Sequence, residues 1–79
     1  MKLKNEIDKA PWNIKLIISR MLLNLTQEEA ANKIGTTQKS IWMWETGKII
    51  PRETSRRAIA SAYGVNYEEL FEGLIPKIQ

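Results

Sequence analysis

Two glycines near the middle of the chain, Gly35 and Gly47, limit what it can fold into more than any other feature. Upstream of the first, Thr26-Gln27-Glu28-Glu29 forms a capping box: the Thr26 hydroxyl accepts from a backbone N–H three residues on, and the Glu29 carboxylate accepts from the N–H of Thr26. The box starts a helix. Gly35, which enters the left-handed backbone region without a Cβ penalty, stops it. Only Thr36 intervenes before Thr37 caps another helix, over Gln38 to Thr46, which Gly47 ends in the same way. Two short helices joined by so tight a turn must cross steeply, and Ala30 and Ala31, on an inner face shared with Ile34, are small enough to let them approach.

Helical periodicity extends over the rest of the chain, and no stretch sustains the period-two alternation of a strand. In a helix over Pro11 to Leu23, the residues Ile14, Ile17, Ile18, Met21 and Leu22 fall at i, i+3, i+4, i+7 and i+8, and this stripe is expected to face the core. Leu16 and Leu23 lie off it and are expected under the N-terminal arm or against another subunit. Pro11 suits a first turn, where its missing N–H has no acceptor to lose. Lys48 to Glu53, with Pro51, reads as a loop. A fourth helix follows to Tyr63, with Ala58, Ile59, Ala62 and Tyr63 inward, and Gly64 closes it. Asn66 caps a fifth helix, with Glu69 three places on, so that Leu70 and Phe71 return to the core. The expected fold is all-α: a compact five-helix bundle whose second and third helices form a helix-turn-helix. A chain of 79 residues holds one core and not two, so the expected organisation is an arm over 1–10, one domain over 11–73 and a tail over 74–79.

Composition excludes several kinds of chemistry. The absence of cysteine and histidine removes disulfides, thiolate chemistry, the commonest zinc ligands and the usual proton shuttle. No phosphate-binding glycine loop or metal-ligand cluster occurs, and a helical core this small leaves little room for an ordinary ligand pocket. No enzyme, cofactor or metal site is expected. The longest apolar stretch, Leu16 to Leu25, is broken by Ser19, Arg20 and Asn24 and cannot span a bilayer. Met1 is followed by alternating charge rather than by the apolar core of a secretory signal. A cytoplasmic location with no membrane partner is the expectation. The net charge of +3 matters less than its distribution. Lys33, Lys39, Lys48, Arg52, Arg56 and Arg57 face only Glu45 and Glu53 in that segment, whereas Glu68, Glu69 and Glu72 crowd the C-terminal end. One end should attract polyanions and the other repel them.

At about 100° per residue, Ile41 and Trp44 point one way from the third helix, while Gln38, Lys39, Trp42, Met43 and Thr46 cluster on the other. A helix held by its back, with its N-terminal residues projecting, has the geometry that fits the major groove of B-DNA. Here Gln27, Ala31, Gly35, Thr37-Gln38, Ile41, Trp44-Glu45 and Gly47-Lys48 resemble the phage repressor and Cro-type (XRE-family) helix-turn-helix proteins. The likeness extends from about Ile14 through Arg20 to Gly64-Val65 and Glu69-Leu70, most of the chain. It implies a lambda-repressor-like fold and a repressor-like transcriptional regulator that binds a double-stranded DNA operator. It also implies a homodimer whose recognition helices enter successive major grooves about 34 Å apart.

The resemblance implies roles for individual residues. Base contacts fall to Gln38, whose amide matches adenine N6 and N7, to Lys39 at guanine or a phosphate, and to Trp42 and Met43. Phosphate contacts fall to Gln27, aided by the positive end of its helix dipole, and to Thr37, Ser40, Thr46, Lys48 and Arg52. Arg20 and Glu45 are expected to form a structural ion pair between the first and third helices. Some residues depart from the family pattern. Trp42 stands where a small polar residue is usual, and Met43 where a basic or amide residue is frequent. These two are expected to press on thymine methyl groups. The alternative makes the same patch the docking site of a protein-interaction module, such as an antitoxin-like or anti-repressor-binding partner, and leaves room for a regulatory protein partner. Glu53 and Arg56 occupy places where the family generally has leucines. Leu16, Leu23, Leu74 and Ile75 are the candidates for a dimer surface.

Overall fold

A computed structural model of the chain describes residues 9–74. Most of the expected arm, and the tail beyond Leu74, Ile75 included, lie outside the described residues. Among the described residues five helices follow one another: α1 (Trp12–Leu22), α2 (Gln27–Ile34), α3 (Gln38–Glu45), α4 (Glu53–Tyr63) and α5 (Tyr67–Leu70). No strand occurs among the described residues.

The local stop and start signals act as their chemistry dictates. Both halves of the α2 capping box are made, with Glu29 N–H donating to Thr26 Oγ1 at 3.0 Å and Thr26 N–H to Glu29 Oε1 at 2.9 Å. Gly35 has φ +93°, and its N–H donates to the Ala31 carbonyl at 2.8 Å. Thr37 caps α3 by accepting from Ser40 N–H. α3 ends at Glu45, with Thr46 as its C-cap, and α1 begins one residue after Pro11, whose extended backbone makes it the N-cap. A further signal sits at Asn24, the one non-glycine with positive φ among the described residues (57°). Its N–H donates to Met21 O, and that of Leu25 to Arg20 O, which closes α1 with a Schellman turn.

The expected orientation of α1 is reversed. Leu16, assigned to the arm or a second subunit, is 2% exposed and lies in the core with Ile41, Trp44, Ile59, Tyr63, Leu70 and Phe71. The Ile14–Ile17–Ile18–Met21–Leu22 stripe turns away from it: Met21 is 61% and Leu22 74% exposed. The cause lies in two cations. Arg20 reaches into the interior to meet Glu45, and Lys15, itself buried, donates from Nζ to the Glu69 carbonyl at 2.8 Å, tying α1 to α5. Asn13, Leu16 and Arg20 share one face, and turning it inward sends the isoleucine stripe outward. The stems of Lys15 and Arg20 are apolar, so they pack while their heads find acceptors.

α4 contributes Ile59, Ala60 and Tyr63 to the core, with Ala58 and Ala62 half-buried. Where leucines would have packed, the chain uses a cation: Arg56 donates to the Pro51 carbonyl at 2.7 Å and to the Tyr67 hydroxyl at 3.2 Å, fastening the loop before α4 and the start of α5. Glu53 instead pairs with Arg57 on the surface at 3.1 Å. Asn66 Oδ1 accepts from Glu69 N–H, and Leu70 and Phe71 fill the centre. No helix among the described residues is long and apolar enough to cross a membrane.

The reversal of α1 is measurable. Leu16→Ala should lower unfolding free energy by about 2–5 kcal/mol, as for other buried leucines, whereas Leu22→Ala should stay within about 0.5 kcal/mol of the parent. Urea unfolding of the two variants checks this, and equal losses would contradict the orientation.

Candidate nucleic-acid interface

The inner side of α3 is anchored by an ionic chain. Glu45, 4% exposed, receives Arg20 in a two-pronged contact: Arg20 Nε donates to Oε2 at 2.7 Å and Nη2 to Oε1 at 3.0 Å. Arg20 Nη1 donates to the Leu25 carbonyl at 2.8 Å, so the guanidinium also holds the α1–α2 turn. Hydrogen bonding to Glu45 is the largest influence on Arg20 and raises its already high pKa, so it stays charged at any ordinary pH. Glu45 Oε1 also accepts from Gln27 Nε2 at 3.0 Å, and Gln27 Oε1 accepts from Gln38 Nε2 at 2.6 Å. Arg20, Glu45, Gln27 and Gln38 thus form one hydrogen-bonded chain running from the interior to the surface at the N-terminal end of α3. Asn13 Nδ2 donates to the Glu45 carbonyl at 3.1 Å and so caps the other end of the helix. A Cβ on Gly47 would stand 3.4 Å from that same Nδ2, and Gly47 has φ +77°. The left-handed backbone is the reason for glycine there, since a Cβ would make only ordinary contact with Asn13.

The outer side presents Gln38, Lys39 and Trp42 to solvent, with Thr46 beyond them. Trp42 is 42% exposed, and the Lys48 ammonium lies 5.6 Å from its ring centroid, a cation–π arrangement. Ser40 and Met43 are half-buried. They line a groove of about 470 Å³ whose other walls include Ile49, Arg52, Thr54 and Ser55. Thr37 donates its hydroxyl to Ser40 Oγ at 3.0 Å, while the Thr46 hydroxyl turns back to the Trp42 carbonyl at 2.9 Å. Lys39, Lys48 and Arg52 form no ion pair with another described residue, whereas Arg56 and Arg57 are engaged within the fold.

The structure therefore gathers Gln38, Lys39 and Trp42 on one exposed face, sets Ser40, Met43 and Arg52 along a neighbouring groove, and links Gln27 directly to Gln38. Sequence reasoning overlooked Asn13, Thr54 and Ser55. The two hydroxyls lie in the first turn of α4, whose N-cap, Arg52, makes no side-chain cap, so neither carries a capping signal; Asn13 gave none either, because its partner is a backbone carbonyl 32 positions away.

A helix-turn-helix family model matches residues 17–70. The chain is 36% identical over 62 residues to the HTH-type transcriptional activator BcrR of Enterococcus faecalis, an alignment that covers 78% of this chain and 30% of that protein. It is 40% identical over 57 residues to an uncharacterized HTH-type transcriptional regulator of Methanocaldococcus jannaschii, covering 72% of this chain and 86% of that one. The fold and the matched segment define a helix-turn-helix module of the DNA-binding transcription-regulator class. The chain belongs to the XRE family of such proteins.

Two outcomes test the anchoring of α3. Arg20→Met leaves the buried Glu45 carboxylate without its main partner and should destabilise the fold by about 3 kcal/mol, whereas Arg57→Met, at the exposed pair, should change stability by less than about 0.5 kcal/mol. Thermal unfolding of the two separates them. Tyr63 lies beside the same pair, and burial, reinforced by the charge of Glu45, pushes its pKa from 10.0 up to about 12. The folded protein holds that proton more tightly than the unfolded chain, so the stability this contributes is complete below pH 10 and is lost as pH rises toward 12. Tyr63→Phe should flatten that part of the stability–pH curve, and an unchanged alkaline slope would contradict the assignment.

Proposed function

We propose that the chain is a transcription regulator that binds double-stranded DNA in a sequence-specific manner, with α3 in the major groove and operator occupancy as its repressor-like mode of action. One observation carries this reading: Gln38 is held at the N-terminal end of α3 by the chain that begins at Arg20. A side-chain amide has two N–H donors and one carbonyl oxygen. With one N–H engaged by Gln27, Gln38 keeps a donor and an acceptor, the pair that adenine N7 and N6 require. The side chain is thus fixed before DNA arrives, which lowers the conformational entropy lost on binding.

The surrounding residues supply affinity. Gln27 has a second N–H for a phosphate at the positive end of α2, while Ser40, Lys48 and Arg52 border the groove as further phosphate contacts. Thr37 and Thr46 flank them, although in the free protein their hydroxyl protons serve the helix. Lys39 reaches a guanine or a phosphate. Trp42 and Met43 meet thymine methyl groups, and the cation over Trp42 suits that face to a polyanion better than to an apolar protein partner. Two copies acting as a homodimer would read two half-sites of one operator. A cytoplasmic, non-enzymatic role without cofactor accords with this reading. The Enterococcus relative is named an activator, so the sign of regulation follows from where the operator lies.

Selection of bound duplexes from a random pool tests the reading. The expected result is a palindrome with adenine in each half-site, and Gln38→Ala should reduce discrimination at that base by about 1–3 kcal/mol. Lys48→Ala should instead weaken binding to all duplexes alike and make it less salt-dependent. The absence of any saturable mobility shift at low salt would refute DNA binding, and a base preference untouched by Gln38→Ala would refute the assigned reader.

A further inference from the structure

Glu45 is buried at the C-terminal end of α3, yet one intermediary connects it to Gln38 at the other end. Its Oε1 accepts twice, from Arg20 Nη2 and from Gln27 Nε2, both at 3.0 Å. Two amides then follow one another, Gln27 and Gln38, joined at 2.6 Å. Such a pair has no direction of its own. Each amide carries an oxygen and an NH2 of nearly the same shape, and turning both over preserves the bond between them. The direction is imposed from one end. A guanidinium only donates and an ionised carboxylate only accepts, so Glu45, with its Oε2 held by Arg20 Nε at 2.7 Å, admits only the NH2 of Gln27. The Gln27 oxygen is thereby turned outward, where it admits only the NH2 of Gln38.

We infer that Glu45 is a positioning residue for base readout: by fixing the sense of the Gln27–Gln38 pair, it sets the order of donor and acceptor that Gln38 offers to a purine. This rests on the DNA reading above and adds a buried residue that no base reaches. With its NH2 turned toward Gln27, Gln38 keeps one N–H for a purine N7 and presents its oxygen to the 6-position, where adenine carries an amino group and guanine a carbonyl oxygen. Adenine donates to that oxygen, whereas guanine meets it acceptor to acceptor. In the reversed sense the NH2 of Gln38 faces the 6-position, and guanine is accepted there. Replacing Glu45 by glutamine keeps the shape and removes the rule. Arg20 Nε retains an oxygen in the place of Oε2, and the introduced NH2 takes the place of Oε1, facing Gln27. That NH2 requires the Gln27 oxygen, which leaves the Gln27 NH2 for Gln38 and turns the reader over.

Anisotropy titrations of the full chain on a selected duplex, with the contacted adenine kept or exchanged for guanine, test the inference. The parent should favour adenine by at least about tenfold, and Glu45→Gln should bring the two affinities to within about threefold of each other. Gln27→Met leaves the Arg20–Glu45 contact in place and should do the same; if far-UV melts show Glu45→Gln unfolded, its ratio decides alone. The sharpest arm joins Glu45→Gln to Gln27→Glu. A carboxylate at position 27 accepts from the introduced amide and from Gln38 together, so the adenine ratio should return to within a few-fold of the parent, while the added negative charge weakens binding to both duplexes alike. A residue that merely holds α3 in place gives no such rescue. A parent that binds both duplexes equally would refute the DNA reading, and the proposal with it. A discriminating parent whose ratio survives in either single variant, or a folded double variant without preference, would overturn the proposal and leave the DNA reading standing.

Discussion

The Arg20–Glu45 pair is the constraint on which the rest of the structure depends. A buried ion pair contributes little net stability, because desolvating two charges offsets most of their attraction. Its geometric consequences are large. A two-pronged guanidinium–carboxylate contact fixes distance and plane together, so α3 is set relative to α1 in rotation as well as position. Glu45 has further acceptor capacity and uses it on Gln27, through which the order reaches Gln38. The same guanidinium holds the Leu25 carbonyl, so the turn that launches α2 is tied to the same centre.

That pair also decides which face of α1 is buried, and here the limit of sequence reading becomes clear. The capping box at Thr26–Glu29, the stop at Gly35 and the cap at Thr37 are legible because each depends on groups within a few residues of one another. The inward face of α1 is not local. Periodicity counts Lys15 and Arg20 as polar and directs the isoleucines inward, whereas the fold supplies acceptors for both cations from α5 and α3. The two expectations for this helix were in conflict: an arginine paired with α3 lies on the opposite side of the helical wheel from Ile14 and Ile18. Placing Arg20 first would have turned Leu16 inward.

The basic segment shows the same difference between residue type and residue use. Six cations between Lys33 and Arg57 suggest a broad positive surface. Arg56 is consumed in fastening Pro51 to Tyr67, and Arg57 lies over the Tyr67 ring at 4.4 Å while pairing with Glu53. Four cations are left for a polyanion: Lys33 near the end of α2, and Lys39, Lys48 and Arg52 around α3 and the groove beside it. The positive field is narrower than composition implies, and it coincides with the face that carries Gln38. Arg56 also explains how α4 packs without the leucines its family generally places there: hydrogen bonds to a loop carbonyl and a tyrosine hydroxyl fix its start, leaving Ile59, Ala60 and Tyr63 to fill the core.

With α1 turned by Arg20, the molecule has a polar, cation-flanked face on α3 and an apolar stripe on α1 directed away from it. Both follow from placing an arginine, rather than an isoleucine, on the buried side of α1: the guanidinium that meets Glu45 fixes the inner side of α3, and the same rotation sends Met21 and Leu22 to the surface.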